Sequence, residues 1–392
     1  MAEKHALLSA SSSARWLACP PSARLEAAVP NTGSVYTREG TLAHALCELK
    51  LRNHFTVMTR RKFNADMKKL KADELYNQEM EGYTDTYVDY VKEAAIAYPD
   101  TPSVTIEDKV DFGNWVPDGF GTADCLLMGG DRLTVIDFKY GKGNPVSAER
   151  NPQMMLYALG AYSKYQFFYR FETVKMVIVQ PRVSDIPNEY ETTVKDLLEW
   201  AENTLKPTAA LAFAGEGELH GGEHCTFCRV RGQCRACAAP HISAAEDFAK
   251  QDKPKEPALL TDEEIGNALA LAKPLAAWLS AVEDFALEAV LSGREIPGWK
   301  AVEGRSNRRF TNQDEAFRAL QANGVQEEML YERKPLSLAQ IEKLVGKNDF
   351  LRVVGEYVDK PMGKPTLVPE TDPRPVYNRA AEDFVKLSNE KE

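Results

Sequence analysis

The chain of 392 residues predicts an α/β fold of packed layers. Three observations carry that expectation. Helical spacing of apolar residues dominates the first hundred positions; the pattern then switches to strand-like runs between Ser103 and Gly141; and a helix, a strand and another helix follow in turn. Composition agrees, since 44% hydrophobic and 27% charged residues are the fractions of a soluble globular chain with a sizeable core. The net charge of -10 argues against wholesale coating of nucleic acid but leaves room for a local basic groove.

Residues 10–29 predict a serine-capped helix broken at Pro20 and Pro21, because proline removes a helix hydrogen bond and clashes with the preceding turn. A second helix covers 39–55, with Leu42, Leu46 and Leu49 on its apolar face. The stretch 59–98 reads as helical and turns from basic to acidic; Tyr87, Tyr90, Val91 and Ala94 recur at the spacing of a packed face. Residues 103–112 read as a strand, and 119–128 with 132–141 as a hairpin closed through Gly129, Gly130 and Asp131. A helix at 151–165, a strand at 173–182 and a helix over 192–215 complete the first part, and a cysteine-rich loop follows. Beyond it, "AKQDKPKEPALL" is a charged linker of low hydrophobicity. It places a boundary at 243–257 between a first domain, 1–242, and a mainly helical second one, 258–392. The second opens with a capping box at Thr261 to Glu264 and a long helix kinked at Pro274. A short strand at 298–304, a helix at 312–324, another opened by Ser337 to Gln340, and a proline-rich tail come after. No apolar run approaches the length of a membrane span and the N-terminus lacks the apolar segment of a secretory signal, so no membrane partner is expected and the cytoplasm is the expected compartment.

The chemistry concentrates in "TVIDFKYGKG", Thr134 to Gly143. Alternation puts Asp137 and Lys139 on one face with Val135, while Ile136 and Phe138 point to the other. Taken alone, that pair is also the pattern of an exposed ion pair at a strand end. Counting back through the hairpin sets Met128 opposite Asp131 or Arg132, and Asp124 opposite Val135 or Ile136, so that Asp124 and Asp137 converge. Two neighbouring carboxylates repel unless a cation sits between them, and hard oxygen ligands suit Mg²⁺ or Mn²⁺. Lys139 would orient or deprotonate an attacking water and neutralise charge on a phosphate. His44, on the helix before the strands, offers a further ligand, and Gln153 and Tyr157 share a helical face that can touch a phosphate or the rim of the site. Glu107 is an additional acid that its spacing does not demand.

The succession "GTLAH", "GTAD", "VIDFKYG" and "QMMLYA" resembles the motifs of RecB-type nucleases of the PD-(D/E)XK superfamily. The resemblance implies a restriction-endonuclease-like core, a central mixed sheet flanked by helices. It also implies a metal-dependent nuclease with His44, Asp124 and Asp137 as ligands, Lys139 catalytic, and Gln153 and Tyr157 supporting. Asp137 stands where many members carry glutamate, which shortens the ligand arm. By family analogy the activity is that of an exonuclease on DNA, in recombination or replication.

Of seven cysteines, four lie in "CTFCRVRGQCRAC" as Cys225, Cys228, Cys234 and Cys237. Thiolates so close in a loop are satisfied by a soft metal or an iron–sulfur cluster, and these four alone could build a Cys₄ zinc site. Together with the upstream "SSARWLACP", the spacing is similar to that of the iron–sulfur nucleases of the AddB type and the CRISPR-adaptation exonucleases. That resemblance implies a [4Fe-4S] cluster on Cys19, Cys225, Cys228 and Cys234, stapling the ends of the nuclease domain, and leaves Cys237 outside the ligand set. Cys47 and Cys125 read as buried small residues.

Near the end, Lys300, Arg305, Arg308 and Arg309 surround Trp299 and Phe310. Such interleaving can hold a nucleic-acid strand, and it equally describes a solvated strand pair with Trp299 in a core. "TRRKF" and "KKLK" carry the same two readings. Over its full length the chain resembles a phage and prophage family of unknown function within the RecB-like nucleases, which implies DNA as partner, with a phage single-strand annealing or DNA-binding protein beside it. The rivals are a catalytically silent DNA-binding or scaffold protein of the same fold with a structural zinc site, and an RNA substrate.

Overall fold

The computed structural model describes residues 6–30, 33–143, 145–249, 262–302 and 313–322, with a few single positions up to 358. The chain divides into two compact units, Met1–Val302 and Glu303–Glu392. That division falls after the 243–257 stretch expected as a linker, of which 243–249 closes a helix and 250–257 lies outside the described residues.

The first unit is a mixed α/β structure built on one five-stranded mixed sheet flanked by helices. Short helices α1 (Ser13–Ala18) and α2 (Ser22–Ala27) are separated at Pro20 and Pro21. Helix α3 (Val35–Phe55) begins where the Ser34 hydroxyl accepts the Thr37 amide hydrogen. The stretch 59–98 forms two helices, α4 (Arg60–Lys71) and α5 (Glu79–Ile96). Between them, Asp73 and Asn77 side chains take the amide hydrogens of Leu75 and Met80, local bonds that compete with a continuous helix. Strands β1 (Ser103–Asp111), β2 (Phe120–Gly129) and β3 (Arg132–Phe138) form an antiparallel meander, and α6 (Pro152–Tyr165) crosses to β4 (Thr173–Val179), parallel to β3.

The sheet ends in β5 (Asn188–Thr193), antiparallel to β4. This strand went unforeseen because it is an edge: Asn188, Glu189 and Glu191 make it read as polar loop, although Glu189 pairs with Lys175 at 2.7 Å. Next come α7 (Val194–Trp200), a π-turn over Ala201–Leu205, and α8 (Lys206–Ala214), where Pro207 accounts for the interrupted helical ladder. Gly215 closes α8 at φ +79, a left-handed cap that glycine adopts freely. Past the cysteine loop lie α9 (Arg235–Ala249) and α10 (Asp262–Leu291). By length and composition alone Ile265–Leu291 could cross a membrane, against the expectation that no apolar run approaches that length; Lys273, Glu283, Asp284 and Glu288 interrupt it. The second unit contributes α11 (Gln313–Ala322), within the helix expected at 312–324.

Two cores sandwich the sheet. One joins β-strand residues such as Val110, Leu126, Leu133 and Val135 to α6, α7 and α8; the other joins Ile106, Leu127, Ile136 and Phe138 to α3 and α5. Helix α6 rides close on β1 because position 160 is glycine: a Cβ there would lie 2.8 Å from the Val110 Cβ and 3.3 Å from the Asp111 amide nitrogen. Gly160→Ala should therefore destabilise the protein by about 1–3 kcal/mol in urea unfolding, since that backbone cannot yield as a side chain can. An unchanged midpoint would mean that α6 is free to shift.

The hairpin turn is shifted by one residue from a turn at Gly129 and Gly130, and is shorter by one than a turn over Gly129 to Asp131. Gly129 pairs with Arg132, leaving a two-residue loop with Gly130 at φ +58. Met128 therefore faces Leu133 rather than Asp131 or Arg132, and Cys125 faces Ile136. Val135 and Ile136 face Leu126 and Cys125, so neither stands opposite Asp124, whose side chain instead accepts the Phe138 amide hydrogen.

At that rung the sheet does something unusual. In β1, Val104 and Ile106 face α3 and α5, whereas Asp108 and Val110 face α6; in β2, Leu127 and Cys125 face α3 and α5, whereas Ala123 and Gly121 face α6. Residues two apart should share a face throughout a strand. Both strands exchange faces together, at Glu107 and at Asp124, and the pairing of Ile106 with Cys125 and Asp108 with Ala123 is kept on either side. Glu107 makes the reversal with φ +52, a left-handed conformation that costs a non-glycine residue about 1–2 kcal/mol. Strain of this kind concentrates at functional sites.

Candidate metal centre

The face reversal brings side chains from opposite layers to one place. His44 descends from α3, its ring edge-on to Phe138 at 5.5 Å between centroids, and its Nδ1 lies 3.4 Å from Asp124 Oδ1. The other Asp124 oxygen accepts the Phe138 amide hydrogen at 2.8 Å, so the carboxylate is locked to the end of β3. Glu107 joins them: ligand atoms of His44, Glu107 and Asp124 all lie within 4.8 Å of one another.

From the α6 side comes a second set. Asn151 caps α6 by accepting the Gln153 and Met154 amide hydrogens, which fixes Gln153 in the first turn above β3. Gln153 Nε2 donates to Asp137 Oδ1 at 3.2 Å and to the Tyr157 hydroxyl at 3.1 Å, and Gln153 Oε1 accepts from Lys139 Nζ at 2.9 Å. Lys139 Nζ also pairs with Asp137 Oδ2 at 3.0 Å. That oxygen is buried, with the ammonium as its partner. A Cβ at position 121 would lie 2.8 Å from Tyr157 Cε1, so glycine there admits the phenol to the site. Asp137 is 3% exposed, but His44 at 34% and Lys139 at 27% leave the centre open on one side.

The charges answer one another. Burial works against the charged form of His44, yet Asp124 overrides it and pushes the imidazole up to about 9. Burial, seconded by Asp124, pushes Glu107 up to about 7. Asp124 resists burial and stays below the usual carboxylate range because His44, the Phe138 amide and Lys139 favour its charge. Asp137 goes the other way, raised by burial and by Asp124 against the pull of Lys139. Lys139, despite burial, is raised by Asp137 and Asp124 and stays an ammonium. Protons thus hold a place that a divalent cation would take.

A pH dependence follows. The raised His44 contributes stability fully below pH 6.5 and loses it as pH rises through about 9. Glu107, protonated in the fold up to about 7 but only to 4.5 when unfolded, also favours the fold less as pH rises. In EDTA the melting temperature should fall across the interval from 4.5 to about 9 set by these two groups, and Mn²⁺ should remove the fall by replacing their protons. Thermal melts of the wild type and His44→Ala check this; a slope indifferent to both metal and substitution would contradict it.

All seven cysteines are free thiols, and Cys47 and Cys125 are buried in the core. Cys19, Cys225, Cys228, Cys234 and Cys237 line one small cavity, with His220 and His224 at its edge. Burial raises Cys228 to about 11, and burial with the neighbouring Cys225 raises Cys237 to about 12. Cys237 is thus no bystander at the surface. Glu26, 5% exposed, ties this loop to the N-terminal helices: it pairs with Arg15 Nε at 2.6 Å and accepts the Arg229 amide hydrogen at 2.8 Å.

Of the three ligands expected at the divalent site, His44 and Asp124 meet, but with Glu107 as their third partner, while Asp137 is bonded to Lys139 and Gln153; Cys19, Cys225, Cys228, Cys234 and Cys237 line one cavity. Sequence reasoning undervalued Glu107, which the pairing of β1 with β2 sets at the level of Asp124, between the Ile106–Cys125 and Asp108–Ala123 pairs. Of the basic group near the end, Lys300 is exposed and Trp299 is 74% exposed, outside any core, while Arg305, Arg308, Arg309 and Phe310 lie outside the described residues.

Comparison with solved structures finds similarity to a protein described as "Crystal structure of SSO0001", 14% identical, over 57% of this chain and 96% of that one, with a TM-score of 0.25. The family comparison is decisive at its own level: a model described as "Protein of unknown function (DUF2800)" matches residues 5–375, and the chain belongs to that family.

Proposed function

We propose that this protein is a divalent-metal-dependent deoxyribonuclease with a PD-(D/E)XK core of the RecB type, acting as an exonuclease in phage recombination or replication within the host cytoplasm. The observation that carries the reading is the meeting of His44, Glu107 and Asp124 within 4.8 Å, at the same strand end as the Asp137, Lys139 and Gln153 network. Mg²⁺ or Mn²⁺ fits this donor set, because an imidazole nitrogen and the two hard carboxylates of Glu107 and Asp124 converge on one place. His44, Asp124 and Asp137 would hold the ion, with Glu107 as a further carboxylate. When bound, it supplies Lewis-acid stabilisation of charge on a phosphate and lowers the pKa of water.

The chain's own groups do the rest. Lys139, held as an ammonium, meets negative charge developing on a phosphate oxygen instead of acting as a base. Gln153 aims Lys139 and Asp137 together, and Tyr157, kept a neutral phenol by burial, fixes the Gln153 amide. Asp124 anchors the strand end through the Phe138 amide.

The cavity of thiols fits a thiophilic centre. The AddB-type reading places a [4Fe-4S] cluster on Cys19, Cys225, Cys228 and Cys234, with a structural role. The proximity of Cys237 to Cys225 favours a second reading, Zn²⁺ on Cys225, Cys228, Cys234 and Cys237. A brown anaerobic preparation containing iron selects the first; a colourless one with stoichiometric zinc selects the second.

Labelled linear and circular DNA, incubated with wild type and Asp137→Ala in Mg²⁺ or Mn²⁺, tests the activity. Degradation of linear DNA that is lost in the variant is expected. Equal inactivity of both proteins would instead identify a silent DNA-binding protein, and cleavage of RNA alone would change the substrate class.

A further inference from the structure

We propose that a serine-walled groove beside the metal centre is the track of a single nucleic-acid strand leaving that centre. The groove, of about 740 Å³, runs between the N-terminal turn at Ala10–Ser12, the start of α3 and the turn that holds Cys225 and Cys228. Its walls carry Ser9, Ser11, Ser12, Thr37, Phe227 and Arg229. This reading deepens the nuclease proposal and takes from it the chemistry of the occupant.

One wall packs against the strand and helix that lead to one half of the centre, and the other wall is the helix that carries His44. On one side, Ala10 meets Gly121 and Tyr157: a Cβ at position 121 would lie 3.6 Å from the Ala10 Cβ and 2.8 Å from Tyr157 Cε1. Tyr157 reaches Asp137 through Gln153. On the other side, Thr37 and His44 belong to the same helix, seven residues and so about 10 Å apart along its axis. A chain drawn out of the centre between His44 and Tyr157 would enter this groove.

The lining has the chemistry of a sugar-phosphate backbone and an unstacked base. Ser9, Ser11 and Ser12 hydroxyls cluster, with Oγ atoms 2.8 Å and 3.3 Å apart, and present donors without fixed charge. Arg15 and Arg229 flank the single carboxylate of Glu26, so the local balance is one positive charge in a chain whose total is strongly negative. At the far end Phe227 is 83% exposed, an aromatic face open to solvent. Stacking on such a face is worth about 1–3 kcal/mol per base and tolerates any sequence. A duplex gains nothing from Phe227, because its bases are already stacked. Phe227 sits between Cys225 and Cys228, so whatever the thiols bind also fixes the stacking platform.

Fluorescence anisotropy of a labelled oligothymidylate with the full chain in EDTA, where cleavage is silent, tests the proposal. Phe227→Ala should weaken binding about tenfold, and Phe227→Tyr should restore it, as expected for stacking on an aromatic face. Ser11→Glu should weaken binding through like-charge repulsion with phosphate. Both positions are exposed, and thermal melts verify that the variants fold. Affinities unchanged in both weakening variants, no binding by the wild type, or loss confined to a duplex probe would each overturn the track. Mn²⁺-dependent cleavage by wild type and Asp137→Ala, measured in parallel, keeps the two readings apart. Cleavage with indifferent groove variants sinks the track alone; sensitive binding without cleavage sinks the nuclease alone.

Discussion

Lys139→Met should lower Mn²⁺-dependent DNA cleavage by about 10³-fold, the scale of removing one charge-stabilising group from a preorganised site. It should do so without weakening the metal. Lys139 lies 3.0 Å from Asp137 Oδ2 and pulls against the burial and the Asp124 charge that raise that carboxyl. As a cation beside the ligand set it also repels a divalent ion. Removing it lets the ion take over the partnership, so at pH 8 Mn²⁺ affinity by calorimetry should equal or exceed that of the wild type. Loss of activity and of metal together would reassign Lys139 to holding the ligands in place. Asp124→Asn differs in kind: it removes the charge that raises His44, and metal affinity and turnover should both collapse.

The second large effect lies far from the phosphate chemistry. Glu26→Ala should cost about 3 kcal/mol in urea unfolding, because it strands Arg15 and frees the Arg229 amide of a buried carboxylate partner. The figure belongs at the low end for a buried pair, since Arg229 is 34% exposed. The consequence is local as well. Glu26 joins positions 203 residues apart in sequence and is the buried carboxylate among the polar ties between the N-terminal segment and the cysteine turn, beside the bonds from Arg15 to the Phe227 carbonyl and from Arg229 to the Val29 carbonyl. Hydrogen exchange at 223–230 should accelerate, and the content of iron or zinc should fall. Glu26→Gln, which can still accept the Arg229 amide hydrogen, should recover part of both. Unchanged stability in Glu26→Ala would show that the thiol centre alone holds the turn.

How far the sequence foretold all this depends on which physical signal each element carries. The helices α1, α2, α3 and α6 were legible because the prolines at 20 and 21 and the apolar spacing agree, although the serine expected to cap the first makes no side-chain cap bond and α3 begins at Val35, four residues before the expected start. The edge strand β5 was not, since an edge protects itself with the polar residues that also mark loops. Asp124, Asp137, Lys139, Gln153 and Tyr157 were legible as a set. The route by which they meet was not: strict alternation keeps Asp124 away from His44 or from β3, and the site exists because two strands break that rule at the same rung. A left-handed glutamate inside a strand has no local sequence signature. Glu107 was accordingly undervalued for the same reason that the reversal was unseen.

The bond from the Phe138 amide to Asp124 Oδ2 gives the protein a built-in spectroscopic probe. In an ordinary ladder that hydrogen would go to a carbonyl, whose charge never changes. Here it goes to an oxygen whose electron density shifts whenever a proton or an ion arrives at the other end of the carboxylate. The ¹⁵N resonance of this one backbone group would therefore follow occupancy of the centre directly, without a label on any reacting group.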